Sequence, residues 1–317
     1  MTVMGKILTA YMGKTMVYNP EKNKNVLETT ARLGMDGPYH PPKYVDWKCF
    51  KIGNVPCESI RKKDVEPTGV ILMLHGGGYI GKLGTIYRKY AQLLVNLTGA
   101  KVYMPDYRVA PDHFFPAALE DAVVCWEYVV KKHGEENVVV LGDSAGGNLS
   151  LVLMQKLRDE GRKMPLAGVL ISPWGDMLAS GKSYVDNYPY DVMFGYKGKQ
   201  FDESLRDELL ASDIFYYFRN VKDRSDPYVS PVFGAYHGFP ECFFTAATNE
   251  MLRSDAETVM EKIRAAGGKA ELYCKHKMFH VYPIAGNLCG ESKEANLAIA
   301  DFINRKFAEK ASGKGRG

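Results

Sequence analysis

Residues 138–160 restrict the folds open to this chain more than any other stretch. Val138-Val139-Val140-Leu141 has the length and β-branched make-up of a buried strand. Gly142-Asp143-Ser144-Ala145-Gly146-Gly147 follows, and Leu149, Val152, Leu153 and Leu157 then recur at the spacing of a helix that ends near Gly161. Strand, tight turn and helix in so short a span predict that Ser144 stands on a sharp bend at the carboxyl end of a sheet. Small neighbours, Gly142 and Gly146, let the bend adopt backbone geometry that side chains would obstruct. The amide of Ala145, at the start of the helix, then faces any negative charge that develops beside the hydroxyl. A serine nucleophile needs this arrangement.

The same alternation extends from about residue 69 to the end. Val70 to Leu74 reads as a strand that runs into His75-Gly76-Gly77-Gly78, and a helical stretch spans Tyr87 to Leu97. Lys101 to Met104 is a strand closed by Pro105, and Pro116 opens a helix at a first-turn position, with Leu119, Ala122, Val123, Trp126 and Val130 at helical spacing. Gly168 to Ile171, Cys242 to Ala246 and Ala270 to Tyr273 are further strands. A closing helix from about Glu291 to Phe307 takes Leu297, Ile299, Phe302 and Ile303 as its inner side. The pattern predicts an α/β architecture: a mostly parallel, twisted sheet with helices on both faces.

Two stretches break the pattern, and structureless connections of their length are uncommon in compact domains. The expected division is therefore an N-terminal cap segment at 1–50, the first part of the core at 51–179, a cap insertion at 180–222, the second part of the core at 223–310 and a flexible tail at 311–317. At 317 residues, one core with an accessory cap suffices.

Charge argues against several classes of partner. The net charge of +4 comes from Lys and Arg scattered among nearly as many acids, so neither a nucleic acid nor a membrane surface is expected as a partner. Lys6 and Lys14 interrupt the apolar residues between Met1 and Met16, so neither a secretory segment nor a membrane span is expected there, and the expected location is the cytoplasm. Cys49, Cys57, Cys125, Cys242, Cys274 and Cys289 contain no CxxC pair and read as reduced, buried thiols.

His75-Gly76-Gly77-Gly78, at the end of the first strong strand, allows backbone amides to approach a ligand closely and complements the turn at Ser144. His75 itself reads as an organiser of that loop. Together with Asp106-Tyr107-Arg108-Val109-Ala110-Pro111, Phe115-Pro116-Ala117-Ala118 and Gly142 to Gly147, in that order, it makes the chain resemble the hormone-sensitive-lipase-like esterases of the α/β-hydrolase fold, from about residue 69 to 285. The resemblance implies an oxyanion hole built from the amides of Gly77, Gly78 and Ala145. It also implies a helical cap made from the N-terminus and an insertion after a middle strand.

A serine nucleophile needs a base, and the base an acid to orient it; in this fold the chain order is serine, acid, histidine. Of His237, His276 and His280, the last lies in the loop before the closing helix, where the family's catalytic histidine resides. Two carboxylates follow the Cys242 to Ala246 strand. Ser254-Asp255-Ala256-Glu257 matches a capping box with Ser254 as N-cap, which gives Asp255 a structural role, whereas Glu250 has none; Glu250 is preferred, although relatives commonly carry Asp there. Asp143 reads as a hydrogen-bonding support, and Asp226-Pro227 and Ser230-Pro231 as structural turns. The expected activity is hydrolysis of a small carboxylic ester, with short acyl chains favoured by the Tyr-, Met- and Phe-rich cap. Amide hydrolysis on the same triad and a non-catalytic small-molecule receptor are the alternatives. No metal or organic cofactor is expected, and assembly as a homodimer is left open.

Overall fold

The computed structural model describes residues 1–17, 19, 28 and 37–313; most of the expected cap segment between 18 and 36, and positions 314–317 of the expected tail, lie outside the described residues. Among the described residues eight strands form one sheet in the order β1-β2-β4-β3-β5-β6-β7-β8. They are β1 Val45–Ile52, β2 Val55–Lys62, β3 Val70–Leu74, β4 Lys101–Pro105, β5 Val138–Asp143, β6 Ala167–Ile171, β7 Cys242–Ala247 and β8 Ala270–Lys275. From β4 to β8 all neighbours are parallel, while β1 and β2 add an antiparallel ribbon at one edge. The six parallel strands match the sequence expectation. The ribbon was not foreseen, because edge strands exposed on one side carry Lys48, Glu58 and Lys51 among their apolar residues and never form a continuous apolar run.

Side chains sort to the two faces of the sheet residue by residue. Leu72 and Leu74 pack with Val140 on one face, and Ile71 and Met73 with Val139 and Leu141 on the other. The helices Ala117–His133 and Ala145–Asp159 cover the first face through Ala122, Trp126, Leu149 and Val152. Thr85–Thr98 and Gly290–Ala311 cover the second through Ala91, Leu94, Ile299 and Phe302. Each large aliphatic chain buried in this way contributes about 1.5–3 kcal/mol. β5, apolar on both faces up to Gly142, therefore lies in the middle of the sheet and carries Ser144 with it.

Several local expectations are corrected. Leu297 is 48% exposed; the inner stripe of the closing helix runs through Ala295, Ile299, Phe302, Ile303 and Phe307. Leu297 is about 200° around the helix from Ile299 at 3.6 residues per turn. Pro116 is the N-cap of its helix and not a first-turn residue. The capping box does not form, because the helix Arg253–Ala265 begins with Leu252 as N-cap. Ser254 instead hydrogen-bonds Ser183, and Glu257 pairs with Arg253. All six cysteines are free, but Cys49 and Cys274 are exposed, since they point outward from the edge strands β1 and β8.

The described part of 1–50 contains the helix α1, Val3–Thr15, and β1 from Val45; 180–222 contains the helices Lys182–Asn187 and Glu203–Ala211 and a 3-10 turn at Asp213–Phe218. No helix among the described residues is long and apolar enough to cross a membrane.

After β5 the chain turns at Ser144, whose φ of 51° and ψ of −118° are strained for a residue with a Cβ. The turn is possible because β3 and the Ala145–Asp159 helix meet backbone to backbone at Gly146. A Cβ on Gly146 would drive into the carbonyls of Leu74 and His75, and one on Gly142 into the Gly146 carbonyl. These obstacles are main chain and cannot step aside. Gly146→Ala is expected to destabilise the protein by at least about 3 kcal/mol, read as a lower urea midpoint or, at the extreme, as failure to recover folded protein.

Candidate active site

Each predicted site residue lies just beyond the carboxyl end of a parallel strand: the glycine loop after β3, Ser144 after β5, Glu250 after β7 and His280 after β8. The strand ends of one sheet bring them to the same side. His280 Nε2 is 2.9 Å from Ser144 Oγ, and His280 Nδ1 is 3.1 Å from Glu250 Oε2. Imidazole and carboxylate are both buried. A carboxylate can only accept, so Nδ1 carries the proton and Nε2 presents a lone pair to the serine hydroxyl. The second Glu250 oxygen accepts the Ala247 amide at 3.0 Å, and the Phe194 ring meets the imidazole edge to face at 5.0 Å. His276 and His237 are exposed and lie outside this line.

Asp255 is not brought to the histidine. One of its oxygens accepts the amides of Gly175 at 2.8 Å and Asp176 at 3.1 Å and the Tyr184 hydroxyl at 3.0 Å. Burial, and then the neighbouring Asp176 carboxylate, hold its carboxyl well above the usual range. It lies in the first turn of the helix Arg253–Ala265, as expected, and from there it also anchors the loop after β6. Asp226 and Ser230 also act within turns: Asp226 accepts the Tyr228 amide, and the buried Ser230 hydroxyl accepts the Met177 amide and donates to the Arg224 carbonyl.

Gly77 and Gly78 border the same cavity as Ser144 and His280, at φ of 110° and 62°. Among the described residues the amides of Gly77, Gly78 and Ala145 donate to no other group, so all three are free for an oxyanion. The loop is held from behind. His75 stacks on Tyr107 with ring centroids 4.2 Å apart, the Tyr107 hydroxyl donates to the His75 carbonyl, and burial pushes the imidazole pKa down, so the ring stays neutral. Asp143 accepts the Gly76 amide at 2.9 Å and the Tyr87 hydroxyl at 3.1 Å, which ties the nucleophile's own strand to the glycine loop. Burial, opposed by these two hydrogen bonds, pushes its carboxyl up to about 7. Both His75 and Asp143 thus organise the loop, as the sequence suggested. Tyr87 and Tyr107 were missed; the only available signal was that Tyr107 sits inside a quoted motif with no assigned role.

Over these groups lies a cavity of about 270 Å³. Its walls come from Leu8, Tyr11 and Met12 of α1 and from Leu209, Ile214 and Phe215 of the 180–222 stretch, with Trp174 and Phe279 from the core. The reacting groups sit at the base of an almost wholly apolar chamber.

A family described by its alpha/beta hydrolase fold matches residues 71–284, and the chain belongs to it. An acetyl-hydrolase of Streptomyces hygroscopicus is 30% identical over 240 residues, 75% of this chain and 76% of the relative. An esterase of Acinetobacter venetianus is 28% identical over 286 residues, 89% and 88% of the two chains. The crystal structure of EstE5 soaked with p-nitrophenyl butyrate superposes with a TM-score of 0.83 at 25% identity, covering 97% of this chain and all of that one. An esterase of the bacterial hormone-sensitive lipase family shares the fold at a TM-score of 0.82 and 24% identity, over 97% and 99% of the chains. The expected resemblance to this group holds.

The two carboxylates make opposite predictions. Glu250→Gln removes the acceptor for Nδ1–H and should lower kcat by roughly 10²–10⁴-fold. Asp255→Asn keeps an oxygen that can accept the Gly175 and Asp176 amides, does not touch His280, and should change kcat less than about threefold; steady-state kinetics on one ester compares the two. Asp143 carries a pH signature. Its carboxyl keeps a proton in the folded protein up to about 7 but loses it near 3.8 when unfolded. The stability it contributes is therefore complete below about pH 4 and lost as pH rises through about 7. Urea midpoints at about pH 5 and about pH 8 should differ less in Asp143→Asn than in the unaltered protein.

Proposed function

We propose that this protein is a serine carboxylesterase that hydrolyses small esters with short acyl groups through an acyl-enzyme on Ser144. The observation that carries the reading is the unbroken line from Glu250 through His280 to Ser144, at 3.1 Å and 2.9 Å. As the Ser144 oxygen attacks the ester carbonyl, its proton passes to His280 Nε2, and the negative charge on the former carbonyl oxygen is met by the amides of Gly77, Gly78 and Ala145. Each such donor lowers the barrier by roughly 3 kcal/mol. The imidazolium, held by the Glu250 carboxylate, gives its proton to the leaving alcohol as the carbon–oxygen bond breaks. Water then repeats the sequence against the acyl-enzyme. No step calls for a metal or an organic cofactor.

The small apolar chamber supports a short, uncharged acyl group, in line with a relative named for acetyl hydrolysis and a neighbour soaked with a butyryl ester. We further take 1–50, less residues 45–50 that β1 brings into the sheet, and 180–222 as a cap over core parts 51–179 and 223–310; the support is that α1 and the 180–222 stretch both wall the cavity. Free thiols and the absence of any charged stripe fit a cytoplasmic enzyme whose required partner is the ester alone.

A fluorophosphonate should label the protein at Ser144, and Ser144→Ala and His280→Ala should each lower ester hydrolysis by about 10³-fold or more while circular dichroism stays unchanged. Among p-nitrophenyl esters, acetyl or butyryl should be turned over fastest, and the matching anilide far more slowly. A folded protein that resists labelling would sink the assignment.

A further inference from the structure

The acid loop after β7 is not held by the core alone. Its residues 248–251 meet residues 183–194, which belong to the stretch read as cap, through a set of buried and partly buried hydrogen bonds. The Asn187 side-chain amide donates to the carbonyls of Thr248 at 3.1 Å and Glu250 at 2.8 Å. Asp191 uses both carboxylate oxygens: one accepts the Met251 amide at 2.8 Å, the other the amides of Met193 at 2.8 Å and Phe194 at 3.0 Å. Asn187 and Asp191 are buried, and the Asp191 amide donates to the Asn187 carbonyl at 2.8 Å, so the two form one clasp.

We infer that Asn187 and Asp191 are positioning residues for the triad: they clamp the main chain on both sides of Glu250, so that its carboxylate meets His280 only when residues 187–194 are seated. The inference rests on the proposed serine-esterase site. The chemistry of the clasp explains its residue types. Three amides approach Asp191 from two sides, and only a carboxylate offers an acceptor to both; an asparagine would point an NH₂ at one of them. Asn187 must donate twice to carbonyls, which a carboxylate cannot do. Bonds from amides to a buried charged acceptor are stronger than neutral ones, which suits a joint that must hold a catalytic group to a few tenths of an ångström. The link also makes residues 180–222 part of the catalytic apparatus and not only a roof over the substrate.

A double-mutant cycle tests this, with p-nitrophenyl butyrate as substrate. Asp191→Asn and Asn187→Ala should each lower kcat 10–100-fold with KM changed less than about threefold. In a Glu250→Gln background the same substitutions should lower kcat less than about threefold, because the group they position is already disabled. Proton NMR supplies a readout independent of turnover: the far-downfield signal of the His280 Nδ1–H bound to Glu250 should shift upfield or broaden in both single variants while circular dichroism is unchanged. Full, additive losses in the Glu250→Gln background, or a folded Asn187→Ala variant with unaltered kcat and Nδ1 signal, would overturn the inference and leave the serine-esterase reading standing. Equal rates for Glu250→Gln and the unaltered protein would instead remove the acid assignment, and the clasp's catalytic role with it. If Asp191→Asn does not fold, Asn187→Ala carries the cycle alone.

Discussion

The contact on which the site depends is the meeting of main chain with main chain at Gly146. There the first turn of the helix after Ser144 rests on the last carbonyls of β3, with no side chain between them. That closeness forces Ser144 into its strained conformation and fixes the distance between the nucleophile and the glycine loop leaving β3. Ser144 and the glycine loop are thus not two features brought together by the fold but two ends of one contact. The Asp143 bond to the Gly76 amide closes the same unit from the other side.

Asp143, Asp191, Glu250 and Asp255 are buried carboxylates on the elements around the histidine, and their environments divide the work. Asp143 accepts one amide and Asp255 two, each together with a tyrosine hydroxyl, and burial raises both carboxyls. Asp191 spends its oxygens on three amides. Glu250 alone has a ring nitrogen in front of it. Identity of residue type tells little in such a cluster; the partner each oxygen faces decides the role.

What the sequence made legible follows from where the physics is local. The apolar runs of β3, β5, β6 and β7 are buried on both faces and need no partner to be recognised, and the turn at Ser144 is dictated by residues within three positions of it. His280 and Glu250 followed from chain order and the loops they occupy. The ribbon of β1 and β2 was invisible because an edge strand shows its pattern only beside its neighbour. Ser254 looked like a helix cap because its competitor, Ser183, lies 71 residues away. Leu297 was misplaced by reading hydrophobicity without the angle it subtends on the helix. Asn187 and Asp191 sit in a stretch with no regular pattern at all, and nothing in their neighbours hints that they reach across to Thr248 and Met251.

The tether of α1 has a consequence for how the protein is made. The Thr2 hydroxyl donates to Glu291 at 2.6 Å across a separation of 289 residues, and the helix that follows Thr2 supplies one wall of the substrate chamber. On the ribosome, Thr2 must wait for this partner until residue 291 has emerged. The central strands and the Ser144 turn can assemble from neighbouring segments before then, so the bend that carries the serine forms early, whereas His280 and this wall of the chamber come last.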